Sequence, residues 1–280
     1  MKKSFFRVIP RLDIKNGNLI KGINLEGLRV LGDPINFAKL YYEQGADEIC
    51  YLDNVATLYG TNNLSKFVTR TAKSIFVPLT VGGGIKSLND IEKMLNSGAD
   101  KVVFNSSAVS DSKIIYDAAR LFGSSTISIN IEFINFKKKT FITKSNGRDI
   151  VFIDPSKWAK KVESLGAGEI NITAVNYEGL QNGFDIDNIN KFSKNIKVPV
   201  LAHGGCGNLK HVVELAQKTN VSGVIIASYF HYNSMMRFKK FKTKIGNKNF
   251  LDNLKLKKKK TNLIKEIKTT LYKKGFNVRI

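Results

Sequence analysis

The chain predicts an α/β fold of the (β/α)8-barrel type, and three observations carry that expectation. Short apolar runs alternate with segments of helical period, the two halves of the chain repeat one another, and each half holds four strand–helix units. Such alternation gives a parallel sheet with right-handed crossovers, and eight units close into a barrel more naturally than they extend as an open sheet. A doubly wound fold is the weaker alternative.

The repeat is read directly. Asp33-Pro34, Ala38-Lys39, Gly45-Ala46 and Glu48-Ile49 return 121 residues later as Asp154-Pro155, Ala159-Lys160, Gly166-Ala167 and Glu169-Ile170. Val77-Pro78 returns as Val198-Pro199, Gly83-Gly84 as Gly204-Gly205 and Leu88 as Leu209; after one added residue, Ser106 is matched by Ser228. A single barrel domain over 1–280 is expected, with half-barrels of about 1–122 and 123–280.

In order, the expected strands are 7–14, 48–52, 75–81 and 101–104, then 126–131, 169–173, 199–202 and 223–226. Helical patterns lie between them, among them 35–44, 88–97, 156–165 and 209–217, with Asp33 and Asp154 as N-caps. Two stretches break the rhythm. Residues 134–148 read as a hairpin inserted after strand 5, and a basic insertion runs from 233 to about 260 before a last helix at 262–274.

With 280 residues, 42% of them hydrophobic and 24% charged, a large core is available, which excludes a disordered tail or a small disulfide scaffold. The two cysteines, Cys50 and Cys206, have no metal-ligand spacing, so neither a disulfide framework nor a zinc site is expected, and a reducing compartment fits. The opening MKKSFFRVIP is interrupted by Arg7, Pro10, Arg11 and Asp13, unlike a signal peptide, and no 18-residue apolar run follows. A soluble, cytoplasmic protein is expected, without a membrane partner.

The net charge of +22 is concentrated near the C-terminus. Residues 233–280 hold 16 Lys and Arg against Asp252 and Glu266, leaving +8 for the rest. The run Lys257, Lys258, Lys259 and Lys260 reads as a solvated loop, with no aromatic residues interleaved for base stacking and no nucleic-acid recognition motif, so nucleic acid is not the expected partner.

Chemistry in such barrels sits at the C-terminal ends of the strands. Asp13 ends strand 1 and Glu132 ends strand 5, four strands away and so across the mouth. Two facing carboxylates suit paired acid and base work if their surroundings push their pKa values apart; the simpler reading is that each caps a loop. Gly83 and Gly84 after strand 3, and Gly204 and Gly205 after strand 7, let an oxyanion approach backbone N–H groups. Asn105-Ser106 and Ala227-Ser228, after strands 4 and 8, fall where short helices commonly complete an anion site. Two symmetric sites imply a ligand with a phosphate at each end.

The segments IPRLDIKNG, LIKG, LRVLGDP, GADE, PLTVGGGIKS, GADKV, FNSSAV, GAGEI, AHGGCG, IIASYFHY and KKGFNVR resemble the cyclase subunit of imidazole glycerol phosphate synthase, the HisF family, over residues 7–232 and again at the last helix. The resemblance implies a (β/α)8 barrel that needs no cofactor or metal. It also implies a glutaminase partner of the HisH kind that supplies ammonia, and a bisphosphorylated substrate, phosphoribulosyl formimino aminoimidazole carboxamide ribotide. The products implied are imidazole glycerol phosphate and aminoimidazole carboxamide ribotide.

By the same resemblance Asp13 and Glu132 are catalytic. Lys21, Gly83, Gly84, Asn105, Ser106, Glu178, Gly179, Gly204, Gly205, Ala227 and Ser228 contact substrate, and Arg7, Glu48, Lys101 and Glu169 form an ammonia gate at the barrel's N-terminal end. A structural ion network is the plainer reading of those four. The sequence departs from the family at the mouth: Glu132 and Glu178 replace aspartates, His203 a serine, and Arg11 a small residue. These departures raise a second reading, a HisF-like paralogue that channels ammonia for amidation of a surface-polysaccharide sugar.

Overall fold

Strands buried on both faces set the frame, as parallel strands between helices and a closed interior must be. The computed structural model describes residues 5–53, 64–235 and 262–280. β1 (Arg7–Lys15) turns back through β2 (Asn18–Ile23) and β3 (Glu26–Gly32), and β4 (Ile49–Asp53), β5 (Leu79–Gly82), β6 (Lys101–Phe104) and β7 (Ile127–Phe136) follow in parallel. β8 (Lys139–Lys144) and β9 (Asp149–Val151) form an antiparallel excursion from β7, after which β10 (Glu169–Ala174), β11 (Val200–His203) and β12 (Gly223–Ile226) continue the parallel order. β12 pairs with β1, Arg7 opposite Gly223, so the eight parallel strands close into a barrel.

The helices are α1 (Pro34–Glu43), α2 (Ser65–Ala72), α3 (Leu88–Asn96), α4 (Ser106–Ser110), α5 (Lys113–Phe122), α6 (Pro155–Ser164), α7 (Ile186–Ser193), α8 (Leu209–Lys218), α9 (Ser228–Ser234) and α10 (Leu263–Lys273). Both expected caps form: the Asp33 carboxylate accepts from Ile35 N at 2.8 Å and the Asp154 carboxylate from Ser156 N at 2.9 Å. Alternation along β1 divides the core. Val8, Leu12 and Ile14 pack into the large layer with the helices, whereas Ile9 joins Cys50, Val103, Leu201 and Ile225 in a separate cluster inside the barrel.

Three elements differ from expectation. β5 begins at Leu79 rather than 75, because Pro78 has no N–H for a ladder; its carbonyl accepts from Ile49 N at 2.9 Å, where the sheet starts. β7 outruns its expected end because the hairpin pairs it onward, Glu132 opposite Thr143 and Phe136 opposite Lys139. The β1–β2 hairpin was not expected. Its turn, Asn16-Gly17, has φ of 47° and 74°, the two left-handed residues that a tight hairpin turn needs.

The two hairpins meet over the mouth, where Arg148 Nε pairs with Glu26 at 2.8 Å and Asn146 Nδ2 donates to Leu25 O at 3.5 Å. The last helix begins one residue late, with Asn262 capping it by accepting from Lys265 N at 3.0 Å. Residues 236–261, which hold most of the expected basic insertion, lie outside the described residues. Among the described residues no helix is long and apolar enough to cross a membrane.

Candidate active site

Side chains pointing inward form three layers, and β1 crosses all of them: Arg7, then Ile9, then Arg11 and Asp13. At the N-terminal end the four predicted gate residues form a closed ring of ion pairs. Arg7 Nη1 lies 2.9 Å from Glu48 Oε2, Lys101 Nζ lies 2.8 Å from Glu48 Oε2 and 2.9 Å from Glu169 Oε1, and Arg7 Nη2 closes the circuit on Glu169. Burial works against each charge, but the partners prevail: Arg7 is held above its ordinary pKa and Glu169 below. Thr80 Oγ1 donates to the remaining oxygen of Glu48 at 2.6 Å. The second layer is the apolar cluster around Ile9, with buried Asn171 on the β10 side.

The third layer is the mouth, and its two sides differ. On the β1 side, Asp13 is 1% exposed and both its oxygens are occupied by cations: Arg11 Nε at 2.8 Å on Oδ1 and Lys21 Nζ at 3.4 Å on Oδ2. Lys21, reaching in from β2, also hydrogen-bonds Glu178. Arg11 Nη1 meets His203 Nδ1 at 3.2 Å, and because a guanidinium can only donate, Nδ1 accepts and the proton sits on Nε2, 3.9 Å from Glu178. Burial raises the Asp13 pKa, but the Arg11 and Lys21 charges overrule it and hold the carboxyl well below the carboxylate range. Burial together with the same two cations keeps His203 neutral, far below its ordinary value.

On the β7 side, Glu132 is 4% exposed and its partners are uncharged. Asn130 Nδ2 donates to Oε1 at 3.1 Å and is itself oriented by Thr173 Oγ1, which donates to Asn130 Oδ1 at 2.8 Å. Asn105 and the Gly147 N–H, also uncharged, face the same carboxyl. Burial pushes the Glu132 carboxyl up to about 7, with Arg11 as the main opposing influence. The two carboxylates on opposite strands thus have proton affinities forced apart.

Glu132 lines a cavity of about 400 Å³ together with Gly83, Gly84, Asn105, Ser106 and Lys144, which brings the first predicted phosphate loop to the proton-binding carboxyl. The β8–β9 hairpin covers this loop: Asn105 Nδ2 donates to Thr143 O at 3.0 Å, and Ser106 Oγ accepts from Ser145 N at 2.9 Å. Gly204, Gly205, Ala227 and Ser228 do not line this cavity; they follow β11 and β12, across the mouth.

Gly83 and Gly204 are nevertheless built alike, with φ of +93° and +98°, and a Cβ would come 2.2 Å from Asp53 O in the first and 2.7 Å from Ala174 O in the second. Gly179 packs its backbone on Gly22 O of β2, which fixes Glu178 beside Lys21. Among the described residues no group of three or more His, Cys, Asp or Glu is placed to hold a metal.

Asn130 was missed in the sequence, although a strand period of two puts it on the same face as Glu132. His231 was also missed; Nε2 donates to Arg11 O at 2.9 Å and Nδ1 accepts from Tyr41 at 2.7 Å, contacts made only by folding.

A closed parallel barrel whose mouth holds two unlike carboxylates beside glycine-built loops defines an enzyme of the (β/α)8 class, with its chemistry at the C-terminal ends of the strands. The family described as histidine biosynthesis protein matches residues 7–236, and the chain belongs to it. It is similar to the imidazole glycerol phosphate synthase subunit HisF of Clostridium botulinum (strain Kyoto / Type A2), 39% identical over 278 residues and 98% of each chain. The HisF subunit of Bacillus cereus (strain Q1) is 44% identical over 81% of this chain and 90% of its own, and that of Legionella pneumophila 47% over 73% and 97%.

Proposed function

We propose that the chain is the cyclase subunit of an imidazole glycerol phosphate synthase. It uses ammonia from a glutaminase subunit to convert phosphoribulosyl formimino aminoimidazole carboxamide ribotide into imidazole glycerol phosphate and aminoimidazole carboxamide ribotide. The observation that carries this reading is the pairing of Asp13 with Glu132 across the mouth, one held as an anion and the other pushed up to about 7, so that a group able both to take and to return the proton that cyclisation moves faces a fixed negative charge. The glycine loops at Gly83-Gly84 and Gly204-Gly205, with Asn105-Ser106 and Ala227-Ser228, grip the two phosphates. Lys21, Glu178 and Gly179 close the site from the side of the first hairpin.

The ring of Arg7, Glu48, Lys101 and Glu169 is the ammonia gate. Ammonia released to water would become ammonium, so a HisH-like glutaminase docks over the N-terminal end, beside the shallow depression that Phe5, Arg7, Lys101 and Glu169 line. The two half-barrels form one working unit, and the buried free thiols of Cys50 and Cys206 suit the cytoplasm.

The comparisons favour this reading, and nothing in them favours amidation of a sugar. Complementation of a strain lacking the cyclase tests it, with turnover of the purified chain measured on external ammonia. Growth without histidine is expected; failure of a well-expressed chain that binds its glutaminase would overturn the cyclase reading and return the paralogue.

A further inference from the structure

Arg11 is the buried charge whose place in the mouth the reaction scheme above leaves unused. It is 2% exposed, its Nε holds Asp13 Oδ1, its Nη1 holds His203, and its own carbonyl is gripped by His231. With Lys21 on Oδ2, neither Asp13 oxygen can take a proton without breaking a buried ion pair. Glu132, which lines the cavity, is the converse: one oxygen receives an amide N–H from Asn130, and the other polar neighbours of the carboxyl, Asn105 and the Gly147 N–H, carry no charge.

We propose that Arg11 is a positioning residue that fixes Asp13 as a standing anion and leaves Glu132 as the group that carries the proton. Glu132, as the carboxylate, takes a proton from the ammonia-derived nitrogen as that nitrogen bonds to the formimino carbon, and returns it to the aminoimidazole nitrogen as the bond from that carbon to it breaks and aminoimidazole carboxamide ribotide leaves; Glu132 ends as the carboxylate it began as, and Asp13 stays charged throughout. The inference rests on the cyclase reading for the reaction, but not for the ionisation it assigns.

The charged and polar groups facing the pair are few. Around Asp13 stand Arg11 on its own strand, Lys21 on β2 with Glu178 behind it, and His203 on β11. Around Glu132 stand Arg11 and Asp13 from β1, Asn130 on its own strand, Asn105 after β6, the Gly147 amide of the hairpin and, on the same cavity, Lys144 of β8. Arg11 is the cation common to both sets, so its charge lowers the proton affinity of both carboxyls. That also links the longer Glu132 with the added cation: a buried carboxyl with neutral partners needs a fixed positive charge nearby to titrate within the working range.

The experiment compares the wild type with Arg11→Met and Arg11→Lys, following the Asp and Glu carboxyl carbons by NMR from pH 4 to 9 and, separately, the pH profile of ammonia-driven kcat. In Arg11→Met the Glu132 titration and the matching limb of kcat move up together by about 1 pH unit or more, and Asp13 begins to titrate within the range scanned. Arg11→Lys, which keeps the charge, retains most of the wild-type profile.

A fall in kcat with both titrations unmoved would mean that Arg11 only supports the fold and would overturn the proposal. So would an Asp13 that titrates in the wild type at the kinetic limb while Glu132 does not. If no variant, wild type included, turns over the substrate, the cyclase reading fails, and the carboxyl titrations still decide for or against Arg11. If Arg11→Met does not fold, Arg11→Gln, which retains a donor toward Asp13 but no charge, gives the same comparison.

Discussion

The two sides of the barrel mouth are built on matched backbones and do opposite things to a carboxyl group. Gly83 and Gly204 take the same left-handed turn against the carbonyl of the preceding strand end, Asp53 in one half and Ala174 in the other. Yet Asp13 is gripped by two cations, and Glu132 sits among amides at a cavity. Duplicating a backbone does not duplicate its proton affinities; the side chains brought in from β2, β11 and the second hairpin set them.

Removing the charge on the gripped side is the severest test of that contrast. Asp13→Asn leaves the glycine loops intact and should lower kcat by about 100-fold or more with KM nearly unchanged, because it removes the fixed anion and leaves Arg11 and Lys21 underpaired. A variant that keeps more than about a tenth of wild-type turnover would remove Asp13 from catalysis.

On the other side, Glu132→Ala should also cost about 100-fold in ammonia-driven turnover, whereas Glu132→Asp should change it modestly, provided the repacked mouth accepts the shorter acid. Unchanged cyclisation in the alanine variant would end its acid or base role. Stability sharpens the same point. A carboxyl whose affinity rises from 4.5 to about 7 on folding makes the native chain bind more protons between those values, so stability falls as pH rises through that window. Glu132→Gln should remove that decline, worth about 3 kcal/mol, measured as urea unfolding at pH 5 and pH 8; parallel curves for variant and wild type would show that Glu132 titrates normally. Asp13 has the opposite sign, its contribution being lost only as pH falls below the ordinary carboxylate range.

Smaller effects probe the frame. Lys101→Met should reduce glutamine-driven turnover several-fold more than turnover on saturating external ammonia, since transfer is hindered while the mouth is untouched. Equal losses would make the ring structural only. Gly204→Ala, strained by its positive φ and its approach to Ala174 O, should raise KM more than it lowers kcat if that loop grips a phosphate. The least is Asp33→Ala beside Asp154→Ala, each costing about 1 kcal/mol of stability through a lost N-cap, and similar values would extend the equivalence of the halves to their energetics.

The barrel was legible because its evidence is local and repeated: Gly83-Gly84 and Gly204-Gly205 announce the same turn twice, and Asp33 and Asp154 the same cap. Asp13 and Glu132 were legible as strand-end carboxylates. Their unlike environments were not, because Lys21 reaches Asp13 from the neighbouring hairpin strand and His203 reaches Arg11 from 192 residues away, pairings that exist only when the barrel closes. The first hairpin was missed although its Asn16-Gly17 turn is a strong local signal, because the apolar run of β1 was read as ending at residue 14.

The apolar cluster between ring and mouth has a consequence of its own. Ile9, Cys50, Val103, Leu201 and Ile225 offer no carboxylate, imidazole or amide through which a proton could hop, and burial pushes the Cys50 thiol up to about 12, so it does not ionise in the working range. On the β10 side, buried Asn171 lies on the same strand face as Glu169 of the ring and Thr173 of the mouth, so the cluster insulates the two polar circuits along the walls it lines and leaves the β7–β10 wall as the one polar seam between them among the described residues.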